Sequence, residues 1–185
     1  MATLFVDKID PQSGTSLEIG SSGDTITTAT GAKPSFLYPA FEATLSGNQE
    51  MSDNTTTKIQ FDTERFDTDN CYDNSTNYRF TPIVAGKYFV YCTARLDSRT
   101  NSNLNLLQLN IYKNGTIYTE LQNYFVANYI RQISATRNSI IDMNGSTDYL
   151  EMFAHIDVIS TGSGNPRVIG GSGKEAAFGA YRIGS

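Results

Sequence analysis

The chain has no tryptophan, one histidine, two cysteines and five prolines in 185 residues. Two cysteines, Cys71 and Cys92, cannot build a disulfide framework, and two reduced thiols are the expectation unless strands bring them together. His155 is alone, so a histidine-built metal site is excluded and the residue reads as an ordinary strand position. No apolar run approaches the roughly 18 residues that span a bilayer, so no membrane-spanning segment is expected. Asp7 and Lys8 stand where a secretory leader would carry its apolar stretch, so export by that route is not expected either. Charge of one sign is in short supply: 14 Lys and Arg face 19 Asp and Glu, a net charge of −5. That balance argues against nucleic acid or an anionic membrane as a partner.

Motifs of catalysis and cofactor binding are missing as well. There is no Gly-x-Gly-x-x-Gly and no Gly-x-Ser-x-Gly, and Gly173-Lys174 is followed by Glu175 where a phosphate loop needs Ser or Thr. The acids Asp62, Glu64, Asp67, Asp69 and Asp73 cluster, as a calcium loop would require. Their alternation with Phe61 favours a solvated strand face instead. Asn-x-Ser/Thr triplets at Asn54, Asn74, Asn114 and Asn144 read as chance in an Asn- and Thr-rich chain. The sequence therefore assigns no catalytic residue, no cofactor and no metal ligand, and the expectation is a protein that is not an enzyme.

What is present is β-forming. Tyrosine (11) and phenylalanine (10) are accompanied by many Thr, Asn, Ser and Ile and by 15 glycines, a mixture that favours strands joined by polar turns. From Pro34 onward strand signals recur about every ten residues. Ala40–Leu45 and Lys58–Phe61 alternate, Gly86–Leu96 is a long β-rich run, and Leu104–Lys113 is another. Asn114-Gly115 tolerates positive φ at both central turn positions and predicts a hairpin. Asn144-Gly145 predicts a second, pairing 129–143 with 148–159. Residues 161–174, rich in Gly and Ser, read as a long loop, and 176–183 as a last strand of small residues that admits close approach of another backbone. The expected fold is an all-β antiparallel sandwich or jelly roll occupying residues 34–185.

Residues 1–33 differ. Short apolar dyads alternate with turn chemistry, giving Leu4 and Val6, then Ile9 before a turn at 10–14, then Leu17 and Ile19, then Ile26 after a turn at 20–24. Each strand so short buries too little apolar area to offset about 1–2 kcal/mol of backbone entropy per residue. The arm is expected to be completed by another chain, with these six residues as its anchors. At no more than about 3.3 Å per residue it reaches roughly 110 Å, too short for a long fibre.

Two resemblances extend this reading. The run 58–68 followed by 79–88 resembles the complement C1q-like domain, whose spacing of aromatics is matched in order by Phe61, Asp67, Tyr72, Phe80, Gly86 and Tyr88. The sequence departs from the pattern by one extra residue between Tyr72 and Phe80, and by Val90 and Cys92 at two aromatic positions. The resemblance covers about residues 36–185. It implies a C1q/TNF-like jelly roll, a tight homotrimer around a buried apolar axis, and binding in place of catalysis. Phe61, Phe80, Gly86 and Tyr88 become the fold signature, and Phe178 and Tyr181 on the last strand the candidates for the trimer interface. Residues 6–27 resemble the N-terminal segment of structural proteins of marine tailed bacteriophages. That implies a virion protein, assembled in the bacterial cytoplasm, displayed on the particle surface and attached through residues 1–33 to capsid or tail proteins. Decoration, head fibre or short fibre tip is the leading role. The alternative is a tail-fibre receptor-binding protein that meets a host surface glycan through polar loops at 97–103 and 162–174.

Overall fold

In the computed structural model, which describes residues 9, 20–23, 25, 38–125, 129–173 and 175–184, every regular element among those residues is a β-strand. The chain divides into Met1–Pro34 and Ser35–Ser185, and all thirteen described strands lie in the second unit. They are β1 (Ala40–Thr44), β2 (Gln49–Glu50), β3 (Thr55–Lys58), β4 (Thr63–Asp67), β5 (Tyr72–Asp73), β6 (Arg79–Phe80), β7 (Gly86–Asp97), β8 (Leu104–Lys113), β9 (Thr116–Tyr124), β10 (Gln132–Met143), β11 (Leu150–Val158), β12 (Arg167–Ile169) and β13 (Ala177–Gly184). Among the described residues no helix is long and apolar enough to cross a membrane.

The strands form two antiparallel sheets. In the first, β7 is paired along its full length by β10; on its other edge β13 and the short β12 lie end to end. β1 then pairs β13 and β4 pairs β1, while β2 extends β12. In the second sheet β11 pairs β8 and β8 pairs β9. The other edge of β11 is shared by β3 and β6, with β5 beyond β6. Crossings between sheets and non-consecutive neighbours give the jelly-roll arrangement expected from the strand spacing.

Period-two alternation sets what each strand buries. On β7, Tyr88, Val90, Cys92, Ala94 and Leu96 are all fully buried against the second sheet. At one end of the sandwich the filling is aromatic. Phe41 stacks on Tyr72 (centroids 4.6 Å) and on Phe80 (4.5 Å) and meets Phe178 edge-on at 4.8 Å. Phe61 lies 5.9 Å from Phe178, and Tyr88 5.7 Å from Phe80. Offset and edge-to-face pairs of this kind add about 0.5–1.5 kcal/mol each beyond area burial. The two hydroxyls are satisfied: Tyr72 donates to the Phe61 carbonyl (2.9 Å) and Tyr88 to that of Val84 (2.7 Å). Burial pushes the Tyr88 phenol up to about 12. Aliphatics such as Leu107, Leu109, Ile156 and Val168 fill the rest of the core.

The hairpin at Asn114-Gly115 forms as expected, with φ of 53° and 76° at the two central residues and Lys113 paired to Thr116. The second expected hairpin does not. β10 pairs β7 in one sheet and β11 pairs β8 in the other, so 144–149 is a crossing between sheets. Asn144 organises it, its Oδ1 accepting from the amides of Ser146, Thr147 and Asp148 at 3.0 Å each. The expected loop at 161–174 is also interrupted, by β12, whose Val168 is fully buried.

Asp97 ends β7 fully buried and holds this end of the sandwich together. Arg131 donates to its Oδ1 at 3.1 Å, Arg167 to its Oδ2 at 2.9 Å, and the Arg99 amide to Oδ1 at 3.0 Å. Burial pushes its carboxyl up, but the bonds from Arg131, the Arg99 amide and Arg167 outweigh burial and hold it below the usual carboxylate range. A group lowered in this way contributes stability that is complete above its unfolded pKa, near 4, and is lost as pH falls through the folded value. Asp97→Asn is expected to cost about 2 kcal/mol at neutral pH, and to make acid unfolding below pH 4 shallower than in the parent, read by thermal melts at stepped pH.

Candidate functional site

The same alternation that buries Tyr88 and Val90 turns Phe89, Tyr91, Thr93 and Arg95 to the opposite face of the first sheet. Cross-strand register makes rows of them. Ile140 of β10, Phe89 of β7, Tyr181 of β13 and Ala40 of β1 stand side by side, and the Phe89 and Tyr181 rings are 5.5 Å apart. The next row is Asn138, Tyr91, Gly179 and Glu42, with Phe66 of β4 beyond. Ile140, Tyr181, Phe66 and Ile183 are exposed, and Phe89 and Tyr91 are half-buried. This is an aromatic and aliphatic face on the outside of a folded sheet.

Two of its polar members, Tyr91 and Glu42, are engaged with each other. The Tyr91 hydroxyl donates to Glu42 Oε2, and Arg65 engages Glu42 Oε1. Tyr91 reaches Glu42 by lying across Gly179, where any Cβ would collide with the tyrosine ring. Burial, followed by the Glu42 carboxylate, pushes the Tyr91 phenol far above its ordinary range, so it remains a donor.

The sequence-assigned residues fall into three groups. Phe61, Phe80 and Tyr88 are fully buried in the core, and Gly86 has φ of 145° at a point where a Cβ would collide with the Gly184 carbonyl. Tyr181 is on the outward face, 39% exposed. Phe178 requires correction as an interface candidate. It is fully buried in this chain's own core against Phe41, Phe61 and Tyr72, because it has the opposite parity to Tyr181. Of the arm anchors, Ile9 is exposed, and Leu4, Val6, Leu17, Ile19 and Ile26 lie outside the described residues. Sequence reasoning missed Phe89, Tyr91, Ile140 and Glu42; once Tyr88 is placed inward, parity along β7 places the next residue and Tyr91 outward.

Groups considered for chemistry are mostly occupied structurally. Cys71 and Cys92 are free and buried, and burial pushes both thiols up. His155 lies between Thr56 Oγ1 and Asn54 Oδ1, 3.1 Å from each. Among the described residues no group of three or more His, Cys, Asp or Glu is placed to hold a metal ion. Within the acidic cluster, Asp62 accepts from the Ser46 amide at 2.7 Å, and Asp73 accepts from the amides of Ser75, Thr76 and Asn77 at 2.9–3.0 Å. Of the loops proposed for glycan contact, 97–103 is tied down. Ser98 is fully buried, and Asn103 donates to the carbonyls of Ser98 (3.0 Å) and Ser160 (2.8 Å).

No protein-family model matches the chain, and no curated protein matches it. Among solved structures, the globular domain of zebrafish complement 1qA protein is similar, with a TM-score of 0.53 and 12% identity over 78% of this chain and 97% of that one. The chain has a C1q-like fold. At 12% identity the likeness is one of architecture, and it brings no ligand or partner with it.

Gly179→Val is expected to displace the Tyr91 ring from Glu42 and to cost about 1–3 kcal/mol through overpacking, measured by chemical denaturation beside Tyr91→Phe, which removes only the hydroxyl.

Proposed function

We propose that this chain is a non-enzymatic structural protein of a tailed-bacteriophage particle, a homotrimeric surface decoration or head fibre attached through residues 1–33. The observation that carries the assembly half of this reading is the outward face of β10, β7 and β13. Contiguous exposed apolar surface of this kind marks an interface, and the occupant proposed is two further copies of the chain. Two features of the face favour a copy over a chemically different partner. Glu42 has both oxygens engaged already, so covering the face leaves no unpaired carboxylate. The rest of the two rows is aromatic, aliphatic or amide, with no excess of either charge to select an oppositely charged partner. The trimer is also what the C1q-like aromatic spacing implies, and the fold supports it.

The attachment half rests on the resemblance of residues 6–27 to phage structural proteins and on dyads too short to hold a core of their own. A reach of roughly 110 Å at most favours a short decoration over a main tail fibre.

Two experiments test these halves separately. The full chain is expected to sediment at three times its 20.3 kDa mass. Tyr181→Asp combined with Ile140→Asp is expected to give a folded monomer, because a buried unpaired charge costs several kcal/mol at an interface. Phe178→Asp is expected to abolish folding altogether. A parent that sediments as a monomer, or a double variant that remains trimeric, contradicts the assembly reading. Removing residues 1–33 is expected to leave the trimer intact and to abolish its incorporation into particles, scored by immunogold labelling. Decoration by the truncated protein contradicts the anchoring reading.

A further inference from the structure

Beside the edge of the second sheet, β4, β5, β6 and their loops line an open cleft of about 380 Å³. That volume lies at the low end of the roughly 300–1,000 Å³ of small-molecule sites. Its walls include Glu64, Asn70, Asp73, Asn74, Asn77 and Arg79. The division of these groups into engaged and unengaged is the informative feature.

Asp73 belongs to the frame. Besides the three loop amides it accepts from the Asn77 side chain at 2.8 Å, and these bonds, the Thr76 amide first, hold it well below the usual carboxylate range. Lys58 Nζ fixes the same loop through the Asn77 carbonyl at 3.1 Å. The wall is therefore built before any ligand arrives. Arg79 is held by its face, with its guanidinium carbon 4.5 Å from the Tyr149 ring centroid, which leaves the N–H edge available. Among the described residues, neither the Arg79 guanidinium, the Glu64 carboxylate nor the Asn70 amide has a hydrogen-bond or ion-pair partner, and Glu64 and Arg79 are not paired with each other. A cation and an anion lining one open cleft, held apart and with no protein partner among the described residues, suit a ligand that supplies acceptors to one and donors to the other. An anionic ligand would meet Glu64 and Asp73, and a cationic one would meet Arg79. Adjacent hydroxyls do both at once, each being donor and acceptor.

We propose that this cleft is a saccharide-binding site for a neutral sugar, with Arg79 and Asn70 donating to ring hydroxyls and Glu64 accepting from them. The proposal goes beyond the assembly reading and does not depend on it, since every wall residue comes from one chain. It also places sugar contact at a site other than the 97–103 and 162–174 loops.

The test uses the full chain and saturation-transfer difference NMR with four probes, D-glucose, D-galactose, D-mannose and N-acetyl-D-glucosamine, alongside D-glucuronate as the anionic comparison. At least one neutral sugar is expected to bind, and to do so more tightly than glucuronate. Glu64→Gln and Arg79→Gln are each expected to weaken that binding tenfold or more, with melting temperature and sedimentation unchanged. Glu120→Gln, on the exposed edge strand β9, is expected to leave it unaltered. Absence of binding by all four neutral sugars, tighter binding of glucuronate, or binding insensitive to both substitutions overturns the proposal. Sedimentation of the same samples reports on the trimer, so failure of one idea is distinguishable from failure of the other.

Discussion

Strand β7 has two faces, one apolar along its length and one aromatic at Phe89 and Tyr91. Inward, Tyr88, Val90, Cys92, Ala94 and Leu96 are removed entirely from water by the chain itself. Outward, Phe89 and Tyr91 with their neighbours Ile140 and Tyr181 form a second aromatic surface, on which Ile140 and Tyr181 are exposed among the described residues. A strand at the centre of a sheet, paired on both edges, has no further backbone groups to offer. Whatever meets its outer face does so through side chains. The hydrophobic effect thus acts twice on the same twelve residues, once to close the sandwich and once to favour covering it from outside.

The outward face is arranged so that covering it is not costly. Glu42, the carboxylate within its two aromatic rows, is engaged by Tyr91 and Arg65, and Tyr91 can reach it only because position 179 has no side chain. The small residues of β13 are thus explained by packing within the subunit: Gly179 admits Tyr91, and Ala177 and Ala180 fit where the strand is buried on both sides. The polar side chains elsewhere follow a similar economy. Asp97 fastens β7 to Arg131 and Arg167, and Asp73 and Asn144 cap loops. Glu64, Asn70 and Arg79 have no such partner among the described residues.

Much of the fold was legible because strand chemistry is local. The β7 and β8 runs, the Asn114-Gly115 turn and the aromatic spacing from Phe61 to Tyr88 are each written in adjacent residues. Pairing between distant strands is not. Asn144-Gly145 carries the same dipeptide as the true hairpin, yet its flanking strands belong to different sheets, and only the competition of β7 and β8 for partners decides that. β12 was hidden because three residues among glycines have too little pattern to register a strand. At the candidate assembly face, Tyr181 was legible and Phe178 was misplaced. The two are three residues apart on one strand, so they cannot share a face, but which of them faces inward depends on the register with Cys92 and Phe89. The cleft was illegible for a different reason. Its acids were visible as a cluster, but only the folded loop reveals that Asp73 is spent and Glu64 is not.

The claim on which this account turns is that copies of the chain cover the outer face of β7 and β13. Hydroxyl-radical footprinting of the full-length protein at micromolar concentration reads it residue by residue. Tyr118 and Tyr124 on β9, which are 48% and 61% exposed, serve as internal references for free tyrosines. The account expects Tyr181 to be oxidised far more slowly than its 39% exposure in the single chain requires, and to regain reactivity on dilution or in the Ile140→Asp variant. Oxidation of Tyr181 in proportion to that exposure at every concentration, in step with Tyr118 and Tyr124, would contradict it.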